Sequence, residues 1–456
     1  MQSQIKMAKI VAYIPFFLVF AATGTVFGNP NFPGINQTPV GAERGPNRDG
    51  TIPEWKGGLT EPPEGYTEGE YHIDPFEEDD VKFIISARNL EDHRTKLTDL
   101  QKALLEKYPE KFVIKVFPTR RSCSYPEFIY EATAKNANTA KVIEQGYGFS
   151  GASAGFPFPE PKNAYEVLFN HETRYYGLRY SAKTSGGTMN PNGTFTKTVR
   201  QDRRLAFYHH PDYSSAELEN RYFVWRGEWS DPPLAKGRAF SATNTINQVK
   251  QPRFGFMWNP DTQRVTQTTP SSFAYTAPMM TSQGMRISDD MFLFNGSPDR
   301  YDWKLVGKKE IYIPYNSYAA TNPDLKLDDL LRPGFLNPEH IRYELHRVWV
   351  IKGELKLGKS HKFAKRTLYF DEDSWIAVAS DLFNQKSVLT HGQFAFVKSY
   401  YEHPACIQDF DVLYELGSGR YNVDNLKLEF GPANLNDPDV TDRSFGSGAL
   451  RRSGSR

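Results

Sequence analysis

The chain has 456 residues, 39% of them hydrophobic, enough for one large core or two ordinary ones. Aromatic residues make up 14%, with 32 Phe, 25 Tyr and 7 Trp, a bias that suits sheets and apolar pockets better than helical bundles. With 55 Lys and Arg against 54 Asp and Glu, the chain lacks the cation excess that nucleic-acid binding draws on.

Residues 1–28 read as a secretory signal peptide. Lys6 and Lys9 begin it, Ile10 to Ala22 form its apolar run, and Val26 and Gly28 are the small residues before cleavage. The run is shorter than the roughly 20 residues of a spanning helix, and Pro15 interrupts it. Removing it takes away two lysines and no acid, so a near-neutral, soluble, exported chain is expected.

Residues 29–72 show neither period 2 nor period 3.6 and predict an extended arm, laid over the domain by Ile52, Trp55 and Tyr66. In DHRTKLTDLQKALLEKYP, Leu97, Leu100, Leu104 and Tyr108 recur at helical spacing and Pro109 marks the stop. KFVIKVFPT predicts a strand. EATAKNANTAKVIEQGYG predicts a second helix, with Ala137, Ala140 and Ile143 on one stripe and Gly146 as its C-terminal cap.

Beyond these helices the chain reads mostly as strand. RFGFMWNPDTQRVTQTT is a hairpin turned at Asn-Pro-Asp-Thr. In DRYDWKLVGKKEIYIPYN, Arg300, Asp302 and Lys304 alternate with Tyr301, Trp303 and Leu305. That pattern fits a salt-bridged solvent face, or a cationic mouth where Arg300 or Lys304 receives an anionic head group. From Tyr343 to Tyr401 four strand-like runs are joined by connections so short that only antiparallel neighbours can result, and DVLYEL with RYNVDNL extends the meander. Asp371, Glu372 and Asp373 fall where one strand must reverse, and predict a hydrated turn rather than a metal or catalytic cluster. In SWIAVASDLF both faces are apolar at first, so the sheet must be covered twice, once by helices and once by further protein or a greasy ligand.

Catalytic patterns are weak. Gly151 to Gly155 matches G-x-S-x-G, but Pro157, Pro159 and Pro161 forbid the helix a nucleophile elbow needs after Ser153. The ten histidines show no paired-ligand spacing, and no Gly-rich phosphate loop follows a strand, so neither metal nor cofactor is expected. Cys123 and Cys406 either pair or stay as small buried apolar groups; spacing alone leaves both open.

PVGAERGPNRDGTIPEWKGG, FPTRRS, GFPFPEPKNAYEVLFNH, VKQPR, DRYDWKLVGKKEIYIPYN, ELHRVWV and KRTLYFDEDSWIAVASD together resemble a bacterial family of unknown function similar to outer-membrane lipoprotein-sorting proteins of the LolA/LolB type. The resemblance runs from about Pro39 to Tyr421. It implies an α+β fold, mostly antiparallel β, with a half-open barrel and helices on its concave face around an apolar cavity for acyl chains. It also implies partners among resistance-nodulation-division transporters and outer-membrane proteins, and carries over no catalytic residue. On this reading residues 73–430 form the LolA/LolB-like domain, with an insertion near 184–244 whose role is open, and 431–456 a flexible tail.

The expected function is that of a periplasmic carrier or chaperone for a lipid or other hydrophobic molecule, with outer-membrane association as a further expectation. Phe254, Phe256, Trp258, Trp303, Trp349 and Trp375 are the expected lining, with Arg300 and Lys304 at the mouth. A structural subunit of an envelope complex, or an ester or glycan hydrolase using Ser153 or the acids near Asp371, are the alternatives.

Overall fold

Period-two alternation over the later two-thirds of the chain becomes one large, mostly antiparallel sheet. The computed structural model describes residues 32–211, 218–268, 279 and 282–454, so the expected signal peptide lies outside the described residues. The early strands are β1 (Phe83–Ile85), β2 (Ile114–Val116), β3 (Lys141–Ile143) and β4 (Gly148–Ser150). The next six are β5 (Arg179–Met189), β6 (Phe195–Ala206), β7 (Arg221–Asp231), β8 (Ala239–Thr245), β9 (Phe254–Asn259) and β10 (Arg264–Thr268). After β11 (Tyr301–Pro314) come the two-residue β12 (Leu331–Arg332) and β13 (Phe335–Leu336). The meander is β14 (Tyr343–Leu355), β15 (Lys365–Asp371), β16 (Ala377–Phe383), β17 (Leu389–Tyr400), β18 (Ala405–Glu415) and β19 (Arg420–Leu426). The helices are α1 (Leu90–His93), α2 (Asp99–Lys107), α3 (Glu127–Thr139), α4 (Ala164–Glu172), α5 (Leu327–Leu330) and α6 (Gly446–Gly454).

The sheet runs β11-β14-β15-β16-β17-β18-β19-β5-β6-β7-β8-β9-β10, and β2, carrying β1, joins it at Tyr343 of β14. β14 to β19 are the expected meander. β19 then pairs with β5, Tyr421 opposite Met189, so the last part of the sheet is built from earlier chain. It is not closed into a barrel. Thr184 to Asn244, expected as an insertion, supplies most of β5, then β6, β7 and nearly all of β8, paired edge to edge within this same sheet.

Both faces of the meander are covered, as its doubly apolar strands require. On β16, Asp381 turns to one side and accepts from the Leu100 and Asp99 amides at the start of α2, at 2.9 and 3.2 Å. Ser380 turns to the other, where Gln393 accepts from its hydroxyl at 2.9 Å and donates to the Asp290 carbonyl at 2.7 Å. α2 packs on β16 and β17 on one side, then, and the segment around residues 282–300 meets the sheet on the other. α4 packs on β11 and β14.

Local corrections have local causes. The first predicted helix is broken at Leu97 because Thr98 caps α2, accepting from the Gln101 amide at 3.2 Å while Gln101 Oε1 accepts from the Thr98 amide at 2.8 Å. The second, α3, starts at Glu127 and stops at Thr139. Its buried face is Ile129, Thr133 and Asn136 rather than the alanine stripe, and Gly146 lies well past its end.

Asp371, Glu372 and Asp373 do form the turn, but they are buried rather than hydrated. Arg121 grips Asp373, Arg347 and Lys308 hold Glu372 at 2.6 and 2.8 Å, and Ser374 donates to Asp371 at 2.7 Å. The N-terminal arm lies over this point: Ile52 and Trp55 are buried, and Trp55 Nε1 donates to the Cys123 carbonyl. Cys123 and Cys406 form a disulfide, with Cα atoms 5.4 Å apart. Of the expected tail, Asn434 and Asn436 bridge to β5, and α6 packs on β8 and β9.

Candidate ligand cavity

β5, β6 and β7 lie in a register that sets three rows on one face. Tyr180, Arg204 and Trp225 stand opposite one another, then Ala182, Asp202 and Gly227, then Thr184, Arg200 and Trp229. Gly227 leaves room in the middle row: a Cβ there would sit 2.9 Å from Arg200 Cδ and collide with the Phe240 ring. Over this face come the end of α4, Glu172 to Tyr176, and the Phe292 to Asn295 segment. They enclose a cavity whose free space is about 40 Å³. At roughly 10–15 Å³ for each water position, that holds about three.

The walls are aromatic, with Tyr176, Tyr180, Phe223, Trp225, Phe292 and Phe294 among them. Phe292 packs at 5.3 Å on Trp225 and 6.1 Å on Tyr176. Phe292 and Leu293 both hold positive φ, 53° and 68°, which costs a non-glycine residue about 1 kcal/mol or more each. Two consecutive left-handed residues therefore sit in the segment that covers the cavity.

The cavity's charges are unevenly paired. Arg200 holds Asp202 through Nε at 2.8 and 2.9 Å and reaches Asp424 and Asn425, while Trp225 Nε1 donates to Asp202 at 2.9 Å. Burial lowers the Arg200 pKa, but Asp202 and Asp424 override it and hold the guanidinium above its ordinary range. Arg204, four residues on from Arg200, has no carboxylate within ion-pair reach among the described residues. It is 8% exposed, its Nη1 is unpartnered, and it lies over the rings of Phe223 at 4.4 Å and Tyr176 at 5.4 Å. Burial, opposed by Tyr222 and then reinforced by the charge of Arg174, pushes it down to about 10.

Arg174 follows the end of α4, donating to the last-turn carbonyl of His171, a favourable place for a cation, and to Tyr176 Oη at 3.2 Å. It too lies over Tyr176, at 4.9 Å, and over Phe292 at 5.0 Å. Glu172 Oε1 is buried and unpartnered, and burial, against Arg253 and Arg174, pushes its carboxyl up to about 7.

The sequence-expected lining lies elsewhere. Trp375 is fully buried, donates to the Val40 carbonyl at 3.0 Å, and stacks on Trp349 with centroids 6.3 Å apart. Trp303 donates to the Pro298 carbonyl and packs at 5.3 Å on Phe294, a residue of the cavity wall. Phe254 and Phe256 pair at 6.5 Å on β9, and Trp258 packs with Leu450 of α6. Lys304 is exposed, and Arg300 donates to the Ser360 carbonyl. None of the eight borders this cavity. Sequence reasoning missed Arg174, Arg204 and their aromatic neighbours, although alternate residues of RQDRRLA and RYFVWRGEW already carried the Arg-Asp-Arg and Phe-Trp-Gly-Trp faces.

Two other clusters answer to structure. Ser153 sits in a turn whose amide donates to Asn136 Oδ1 at 3.2 Å, with no helix after it until α4. His346, Asp371 and Asp373 bring ligand atoms within 4.8 Å of one another; Arg121 holds both oxygens of Asp373, and Tyr315 and Ser374 donate to Asp371 Oδ2.

A family model described as a protein of unknown function, DUF1329, matches residues 84–451. An uncharacterized protein of Pseudomonas aeruginosa is 36% identical over 423 residues, covering 93% of this chain and 92% of that protein. Among solved structures, a putative outer membrane lipoprotein-sorting protein domain from Vibrio parahaemolyticus is 13% identical with a TM-score of 0.41, covering 63% of this chain and 97% of that one. A DUF1329 family protein from Desulfovibrio piger is 12% identical with a TM-score of 0.42, covering 62% and 96%. A LolA superfamily protein from Nitrosomonas europaea is 11% identical with a TM-score of 0.36, covering 63% and 99%.

Proposed function

The chain belongs to the DUF1329 family of proteins of unknown function, and from that premise we propose that it is a non-catalytic carrier or chaperone binding a lipid or other hydrophobic molecule. The observation that carries this reading is the aromatic cavity between β5–β7 and the Phe292–Asn295 segment. Shape and apolarity suffice for such a task, since each buried methylene contributes about 0.8 kcal/mol without any reacting group. In the form described the cavity is small, so a chain-sized cargo enters by displacing the covering segment. The two left-handed residues Phe292 and Leu293 mark where that segment stores strain.

Export to an oxidising compartment is supported by the Cys123–Cys406 disulfide together with the expected signal peptide. Exchange of cargo with a resistance-nodulation-division transporter and an outer-membrane partner is the finer expectation attached to this reading. Native mass spectrometry of the mature protein, purified from the periplasm without detergent, followed by solvent extraction, tests it. A discrete bound mass released as lipid supports the carrier. A clean apoprotein that also fails to take up a fluorescent fatty acid sinks it and favours a structural subunit.

A further inference from the structure

Resting on the carrier reading, we infer that the cargo bears an anionic head group, a carboxylate or phosphate, which the cavity receives between Arg174 and Arg204. Buried guanidinium groups are ordinarily paired, because removing the charge from water costs several kcal/mol that a carboxylate must offset. Arg200, on the same face, obeys that rule through Asp202 and Asp424. Arg204 does not, and neither does Arg174: among the described residues no carboxylate lies within 4 Å of either guanidinium. Both instead lie over one ring, that of Tyr176. Two like charges sharing an aromatic wall repel each other, and an anion between them removes both penalties at once.

The remaining polar groups of the cavity suit the same ligand. Asp202 is neutralised by Arg200, so it adds little repulsion. Glu172 has an unpartnered oxygen and a carboxyl raised to about 7, so at neutral pH much of it is protonated and can donate to an anion's oxygen. Asn295 and Asn425 also border the space. Free space of about 40 Å³ fits a head group rather than a chain, which places the charged end innermost and leaves the apolar body to follow where the covering segment is displaced. Arg suits this role better than Lys, since its planar fork binds two oxygens while its face stacks on a ring.

The experiment compares delipidated full-length mature protein against palmitic acid, its methyl ester, hexadecyl phosphate and inorganic phosphate by isothermal titration. Wild-type protein should bind the acid or the phosphate amphiphile on the order of ten- to a hundredfold more tightly than the ester, the range of a charge-assisted hydrogen bond. Arg204→Met and Arg174→Met, which keep the apolar stem, should erase that preference so that acid and ester bind alike, and the exposed Lys250→Met should change nothing. Equal binding of acid and ester by wild-type protein overturns the anionic head and leaves the carrier standing. Binding of no amphiphile overturns both readings. Inorganic phosphate bound as tightly as hexadecyl phosphate overturns the amphiphile and indicates a free-anion site. Because the acid-to-ester comparison needs only the wild-type chain, it decides the matter even where an arginine variant fails to fold.

Discussion

Arg121 grips Asp373 with two hydrogen bonds, Nε at 2.9 Å and Nη2 at 2.7 Å, across 252 residues of sequence and with both side chains almost wholly buried. The same guanidinium donates to the carbonyls of Arg44 and Pro53, so the N-terminal arm, the segment after β2 and the β15–β16 turn meet at one side chain. Asp373→Ala should cost about 3–5 kcal/mol, the range for stranding one partner of a buried pair. Urea unfolding midpoints measure it, and a loss below 1 kcal/mol would show that solvent replaces the carboxylate. The double variant Arg121→Met with Asp373→Leu should lose less than Asp373→Ala alone.

His346 lies in the same network, 3.1 Å from Glu344 and 3.5 Å from Asp371. Burial lowers its pKa, but the two carboxylates outweigh burial and raise it from 6.5 to about 9. A raised histidine stabilises the fold fully below its unfolded value of 6.5 and loses that contribution as pH rises through about 9. The difference corresponds to roughly 3 kcal/mol. Wild-type protein should therefore lose stability between pH 6.5 and 9, and His346→Gln should flatten that slope. Parallel slopes for the two proteins in urea titrations would dismiss the role.

The Cys123–Cys406 bond closes a loop of sequence separation 283 and ties the segment after β2 to the start of β18. Its loss should cost about 2–5 kcal/mol. Cys123→Ser with Cys406→Ser should melt lower than the oxidised protein, and adding reductant should shift only the wild type.

Gly227 keeps the middle row of the cavity face open. Gly227→Ala drives a methyl into the Phe240 ring and the Arg200 stem, so it should cost about 1–3 kcal/mol and displace Arg200 from Asp202. Thermal melting paired with ligand titration separates the two effects; unchanged melting would mean that the row has slack.

Trp375 is packed on all sides and donates to Val40, so Trp375→Ala should destabilise by about 3–5 kcal/mol. Trp349 is half-buried, and its replacement should cost less. A Trp375 variant of unchanged stability that loses its cargo would return this tryptophan to the binding site.

Alternation and short connections in the sequence determined the β14–β19 meander, the β9–β10 hairpin and the need for two covers over SWIAVASDLF, because period two and loop length are local properties of the chain. The position of the acidic turn was local too. Its burial was not, since that required Arg121, Lys308 and Arg347 to arrive from other segments. The tertiary structure alone decided that β19 pairs with β5, that Arg204 stands opposite Tyr180 and Trp225, and that the Phe292–Asn295 segment closes over them. Sequence fixes which residues share a strand face, but the partner strand, its register and the neighbour that covers a face depend on contacts between residues far apart in the chain.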